Sequence, residues 1–159
     1  MTGGAAPAAP AGDPRPDGAR TDRLRVAGGA PWEARVGYSR AVRAGPFVFV
    51  AGTTGIGPDG RPVPGGAYAQ ARRAFDIAGE ALARAGATFA DVVRTRLYVT
   101  DRAHWEEVGR AHAERFAEVR PAATLVVVAG LIDPEMLVEV ELDAVVAPAA
   151  ELAGQGPRG

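Results

Sequence analysis

The sequence is expected to fold as an α+β domain, a mixed sheet with two helices on one face in the order β-β-α-β-α-β-β. Three observations predict this. Apolar spacing switches along the chain between two residues and roughly 3.6. Two stretches of helical spacing stand between short β-rich runs, each ended by Gly or Pro. The two longest β-rich runs divide into an apolar side and a charged side, which leaves one sheet face for the helices.

Residues 1–30 are rich in Ala, Gly and Pro and bury too little apolar surface to offset chain entropy, so they are expected to be a disordered tail. Residues 31–147 form the folded unit, and 148–159 a flexible C-terminal tail. Tyr38 to Ala44 and Pro46 to Gly52 make a hairpin turning at Gly45, and a Gly/Pro loop runs from Thr53 to Gly66. Ala71, Phe75, Ala78 and Leu82 recur at helical spacing until Gly86. Asp91 to Thr100 is a strand, and Asp101 N-caps a second helix whose Trp105, Val108, His112 and Phe116 share one side before Pro121. Thr124 to Ala129 and Leu137 to Val146 finish the sheet, with a turn over Ile132 to Glu135 between them.

Composition excludes much chemistry. The 159 residues carry net charge −1, with no basic surplus for nucleic acid. No apolar run reaches the roughly 20 residues of a membrane span, and no secretory signal opens the chain, so a cytoplasmic protein is expected. With Cys 0, no thiolate nucleophile or cysteine-built metal site exists. All 18 basic residues are Arg, which removes Schiff-base and P-loop lysines. Ser39 is the only serine. His104 and His112 lie too far apart on one helix to share a metal, so neither metal nor cofactor is expected.

Alternation divides the strands. Val138, Val140, Leu142 and Ala144 point one way and Leu137, Glu139, Glu141 and Asp143 the other. In Asp91 to Thr100, Val93, Thr95, Leu97 and Val99 oppose Arg94, Arg96 and Tyr98. The charged second face is either a solvated surface laced with ion pairs or a subunit interface enclosing an acid/base pocket. Glu139 and Glu141, about 7 Å apart along the strand, should raise each other's pKa unless arginines offset them.

Gly55 to Gly60 matches a dinucleotide fingerprint in letters, but Pro58, Pro62 and Pro64 forbid the helix that motif needs. His112 reads as a satisfied core or interface histidine, and Arg72, Arg73 and Arg84 as a solvated helix face paired with Asp76 and Glu80. Gly52-Thr53-Thr54-Gly55, at a strand end, is either a tight turn or a place for a ligand.

Gly37 to Gly45, Val48 to Gly52, Ala69-Gln-Ala71, Asp91 to Asp101, Arg120-Pro-Ala122 and Leu137 to Val145 together resemble the Rid (YjgF) family. The resemblance implies a chorismate-mutase-like fold, a homotrimer with a central β-barrel, and ligand pockets at the subunit interfaces. Its RidA branch hydrolyses imines and enamines to a keto acid and ammonia. By that resemblance Tyr38 falls on the pocket tyrosine, Glu139 on the glutamate that positions water, and Gly52 on the pocket lining. The family's carboxylate-binding arginine is Ala123 here, its cysteine Leu125, its pocket asparagine Gly109, and the serine before Gly52 is Ala51. The pocket is therefore expected to be wider and more apolar. Arg96 is the candidate for a displaced anion clamp, with Thr53 and Thr54 orienting the ligand.

The expected function is cofactor-independent deamination of a labile imine or enamine, with Glu139 and Tyr38 catalytic. The expected partners are a small-molecule substrate and two further copies of the chain, with no nucleic acid and no membrane. The alternatives are a non-catalytic trimer binding a metabolite or partner, and a tautomerase or cyclase using the same pocket.

Overall fold

The computed structural model describes residues 23–147. The expected tails fall outside those residues over 1–22 and 148–159. Six strands form one sheet: β1 (Arg23–Val26), β2 (Ala41–Ala44), β3 (Phe47–Thr54), β4 (Val92–Val99), β5 (Ala122–Val127) and β6 (Val138–Val145). Their order is β1-β2-β3-β6-β4-β5. β4 and β5 are parallel, and every other neighbouring pair is antiparallel. The helices are α1 (Pro31–Val36), α2 (Gly66–Arg84) and α3 (Trp105–Phe116).

The α+β class and both long helices agree with the sequence reading. β6 lies between β3 and β4, and its Val138, Val140, Leu142 and Ala144 are buried beneath the helices. Against β3 and β6 lies α2, whose buried face is mostly alanine: Ala67, Ala71, Ala74, Ala78 and Ala81, with Phe75 and Leu82 as the large side chains. Small side chains let the helix axis approach the sheet closely. Phe75, Phe89 and Phe116 then meet edge to face, with centroids 5.5–5.6 Å apart, where α2, α3 and the turn before β4 converge.

Four local expectations are corrected. Arg23–Val26, placed by the sequence reading in a disordered tail, is an edge strand paired along β2 with Val26 buried. Its partner is distant in sequence, so composition could not reveal it. Residues 31–36, read as part of the folded unit without an assigned element, form α1, which ends on Gly37 in the left-handed conformation. Val93 is 48% exposed, because the register with β6 shifts between Val92 and Arg94 and Val92 takes the buried place. Trp105 is 55% exposed, since Asp101 caps the short 3-10 turn Arg102–His104 and α3 starts only at Trp105.

The arginines of α2 also differ from their expected role. Asp76 pairs with Arg115 of α3, Arg72 with Glu114, and Arg84 donates to the Ala27 carbonyl at 2.6 Å. Arg72 and Arg84 thus bridge elements, while Arg73 keeps a pairing within the helix, 4.0 Å from Glu80.

The loop before β6 hangs on one buried amide. Gln70 Nε2 donates to the Glu135 carbonyl at 2.9 Å, and the Leu137 N–H donates to Gln70 Oε1 at 2.8 Å. Gly55 crosses the same residue so closely that a Cβ there would overlap the Gln70 backbone. Replacing Gln70 by Leu leaves two backbone groups without partners, each costing about 1–3 kcal/mol. Urea denaturation of Gln70→Leu should show a loss of that order, and an unchanged midpoint would mean that water replaces both bonds.

Candidate functional site

The second face of the sheet carries the acids and arginines that alternation placed there, but it treats the three acids of β6 unequally. Arg96 reaches Glu141 at 3.3 Å and Asp143 at 3.2 Å, and Arg94 lies 4.0 Å from Asp143. The Tyr98 hydroxyl donates to Glu141 at 3.2 Å. Glu139 has no ion pair among the described residues. It is half-buried where β3 breaks register, between Val50 and Thr53, so that Gly52 passes its carboxylate. A Cβ on Gly52 would overlap Glu139 Oε1, and glycine is what makes room for the acid.

Arg40 completes this corner. Its Nη1 donates to the Gly52 carbonyl at 2.6 Å and to Thr53 Oγ1 at 2.8 Å, and its Nη2 lies 3.5 Å from the Tyr38 hydroxyl. Thr53 in turn donates to the Ala51 carbonyl at 2.7 Å. Burial raises the Glu139 pKa first, the Glu141 charge raises it further, and Arg40 works in the opposite direction. The expected mutual effect of the two glutamates is thus present at Glu139.

A cleft of ≈ 670 Å³ opens here, and Tyr38, Arg40, Gly52, Thr53, Thr54 and Glu139 all line it. Five of these are residues the sequence reading singled out. Arg40 is the one it missed, because its fold-back onto Gly52 and Thr53 is a contact between separate segments that no local pattern marks. Arg96, the candidate clamp, does not line the cleft and is engaged by Glu141 and Asp143.

Gly109, Ala123 and Leu125 also lie away from the cleft lining. Ala123 and Leu125 on β5 pair with Thr95 and Leu97 of β4. His112, one turn from Gly109 on α3, places Nε2 3.0 Å from Thr95 Oγ1 and packs on Phe116. Burial pushes its pKa down, and it is half-buried against the core rather than within it. The predicted site residues therefore separate into those at the β3–β6 cleft and those outside it, Arg96 on β4, Ala123 and Leu125 on β5 and Gly109 on α3. Among the described residues, no cluster of three metal-ligating side chains occurs, and no helix is long and apolar enough to cross a membrane.

The folded state holds the Glu139 proton to higher pH than the unfolded chain does, because its pKa is raised. Stability is therefore lost as pH rises from the ordinary carboxylate value through the raised one. Glu139→Gln should be more stable than wild type at neutral pH and lose that advantage below about pH 4. Urea denaturation at both pH values measures this, and a variant less stable at neutral pH would mean that Arg40 outweighs burial.

The Endoribonuclease L-PSP family matches residues 28–146. An uncharacterized protein of Streptomyces coelicolor is 46% identical over 120 residues, covering 76% of this chain and 90% of that protein. The crystal structure of Rv2704 from Mycobacterium tuberculosis, a member of the YjgF/YER057c/UK114 family, is 52% identical with TM-score 0.72, covering 79% of this chain and 100% of that one. The 3-aminoacrylate deaminase RutC of Acinetobacter baylyi is 32% identical over 104 residues, covering 65% of this chain and 82% of the deaminase. With a family match over most of its length and the fold that goes with it, this chain belongs to the Rid (YjgF) family.

Proposed function

We propose that the chain is a cofactor-independent deaminase of a labile imine or enamine. The observation that carries this reading is the singling out of Glu139. Its neighbours on β6 are paired with Arg94 and Arg96, and Glu141 also accepts from Tyr98, while Glu139 stands with a raised pKa in the cleft that Tyr38 also lines. A carboxylate whose pKa burial raises holds a proton more readily than a free one, which suits taking a proton and giving it back. The deaminase relative acts on 3-aminoacrylate by its name, which is chemistry of this class.

In the reaction, Glu139 takes a proton from water as the oxygen adds to the imine carbon, and the C=N π electrons move to nitrogen. The Tyr38 hydroxyl hydrogen-bonds that nitrogen and offsets the charge that develops on it. Glu139 then returns its proton to the nitrogen of the tetrahedral adduct. Glu139 next takes the hydroxyl proton of this carbinolamine and delivers it to the amino nitrogen, the O–H electrons form the C=O bond as the C–N bond breaks, and a carbonyl compound and ammonia leave. Water is the only co-reactant.

The second group, Gly109, Ala123 and Leu125, finds its use if a neighbouring copy carries it to the cleft, as in a homotrimer. Exposed apolar side chains at Phe47, Phe49, Val93, Val126 and Val127 supply surface for such contact. Light scattering should give three copies per particle at micromolar protein. A monomer would remove the shared pocket from this reading.

The reaction is tested by letting amino-acid oxidases generate imines in the presence of semicarbazide, with the protein competing against the trap. Wild type should divert imine from semicarbazide. Glu139→Gln should lose about 10²–10⁴-fold of that rate, the usual worth of a positioned acid/base group, and Tyr38→Phe should lose less. Ala123→Arg should extend activity toward small imino acids by supplying a bidentate carboxylate partner. Silence in wild type and in Ala123→Arg alike would refute the proposal.

A further inference from the structure

The cleft is much larger than its reacting end needs. Its volume of ≈ 670 Å³ lies within the roughly 300–1,000 Å³ of sites for drug-sized ligands, whereas a three-carbon imine would leave most of it empty. Beyond that end the large apolar side chains of the lining include Trp32 from α1, Ile56 and Pro58 after β3, and Ile132 and Met136 before β6, with Arg73 and Glu80 of α2 as its charged members. Trp32 is 54% exposed and Ile132 94% exposed, an arrangement of large apolar groups around a polar centre that favours an apolar ligand.

Trp32 is also held in place. The Gly28 N–H donates to Glu33 Oε1 at 2.7 Å, and the Gly37 and Tyr38 N–H groups donate to the Glu33 carbonyl at 2.9 and 3.2 Å. Arg84 anchors the preceding segment through the Ala27 carbonyl, and the Arg35 guanidinium lies 5.2 Å from the Trp32 ring centroid. A wall fastened at both ends costs little ordering when a ligand packs on it.

At the polar end, Arg40 spends Nη1 on Gly52 and Thr53, while the described contact of Nη2 is the long one to Tyr38. Among the described residues, no carboxylate lies within ion-pair distance of it. The other cation of the cleft, Arg73, is engaged by the Ile56 carbonyl at 3.0 Å and by Glu80 at 4.0 Å. Arg40 is thus the guanidinium placed to receive an anion beside the reacting groups.

We infer that the cleft selects ligands with an anionic head and a bulky apolar tail, Arg40 taking the head and Trp32 with Ile132 the tail. Resting on the deaminase reading above, this assigns the substrates as imines or enamines of 2-amino acids with aromatic or large branched side chains.

Calorimetric titration with phenylpyruvate, pyruvate and the neutral ketone phenylacetone tests recognition separately from turnover. Wild type should bind phenylpyruvate about 10–200-fold more tightly than pyruvate, and Trp32→Ala, at an exposed position, should close much of that gap. Wild type should also prefer phenylpyruvate over phenylacetone by about 10–100-fold. Arg40→Gln should erase this second preference and Arg40→Lys should keep part of it, which separates lost charge from lost fold.

Equal binding of the two acids, or gaps untouched by Trp32→Ala and Arg40→Gln, would overturn the inference. Diversion of phenylalanine- or alanine-derived imine from semicarbazide would then leave the deaminase reading standing. If both gaps appear and respond to the variants while no imine is hydrolysed, the selectivity holds and the reaction assigned to the cleft falls.

Discussion

The rest of the molecule depends on the two-residue alternation of β6. The same eight residues, Val138–Val145, supply a fully buried apolar row to the helical layer and a row of three carboxylates to the opposite face. Burying that apolar row is worth about 1.5–3 kcal/mol for each large side chain, so slipping the strand by one residue is prohibitive. A slip would also drive three acids under α2. The register that holds the core is therefore the register that presents Glu139, and core and site cannot be varied independently.

Once the acids are presented, their surroundings set their roles. Arg94 and Arg96 come from the neighbouring strand β4, where they are in phase with Glu141 and Asp143 and beyond the reach of Glu139. On its other side Glu139 meets β3 at an irregularity, and Gly52 there leaves the space that a side chain would fill. Half-burial without an ion pair raises its pKa, and Arg40 restrains the rise. The site is an exception made within an otherwise neutralised row.

Much of this was legible in the residues. The period of two in Leu137 to Val146 gave the side of the sheet shared by Glu139, Glu141 and Asp143, the resemblance singled out Glu139 among them, and the helical spacing of Phe75 and Leu82 assigned the helical layer to the other side. Gly52, Thr53 and Thr54 stood out because small and hydroxyl residues end a dense apolar strand. The role of Arg40 was harder to see, since no local pattern distinguishes an arginine that folds back on Gly52 from one that reaches into solvent. Arg96 shows the converse. Its side of the sheet was correctly read, but its partners, Glu141 and Asp143, are some 45 residues away along the chain and engage it outside the cleft.

By itself the sequence determined the fold class, the face carrying charge and the family, because each follows from short-range periodicity or from a motif read in order. Only the tertiary structure decided that Arg40 turns into the cleft while Arg96 stays outside it, that Arg23–Val26 joins the sheet, and that Trp32 forms a wall of the cleft. Those outcomes rest on contacts between segments distant in sequence. Such contacts form only when the sheet closes in its full order, and no local pattern of residues encodes them.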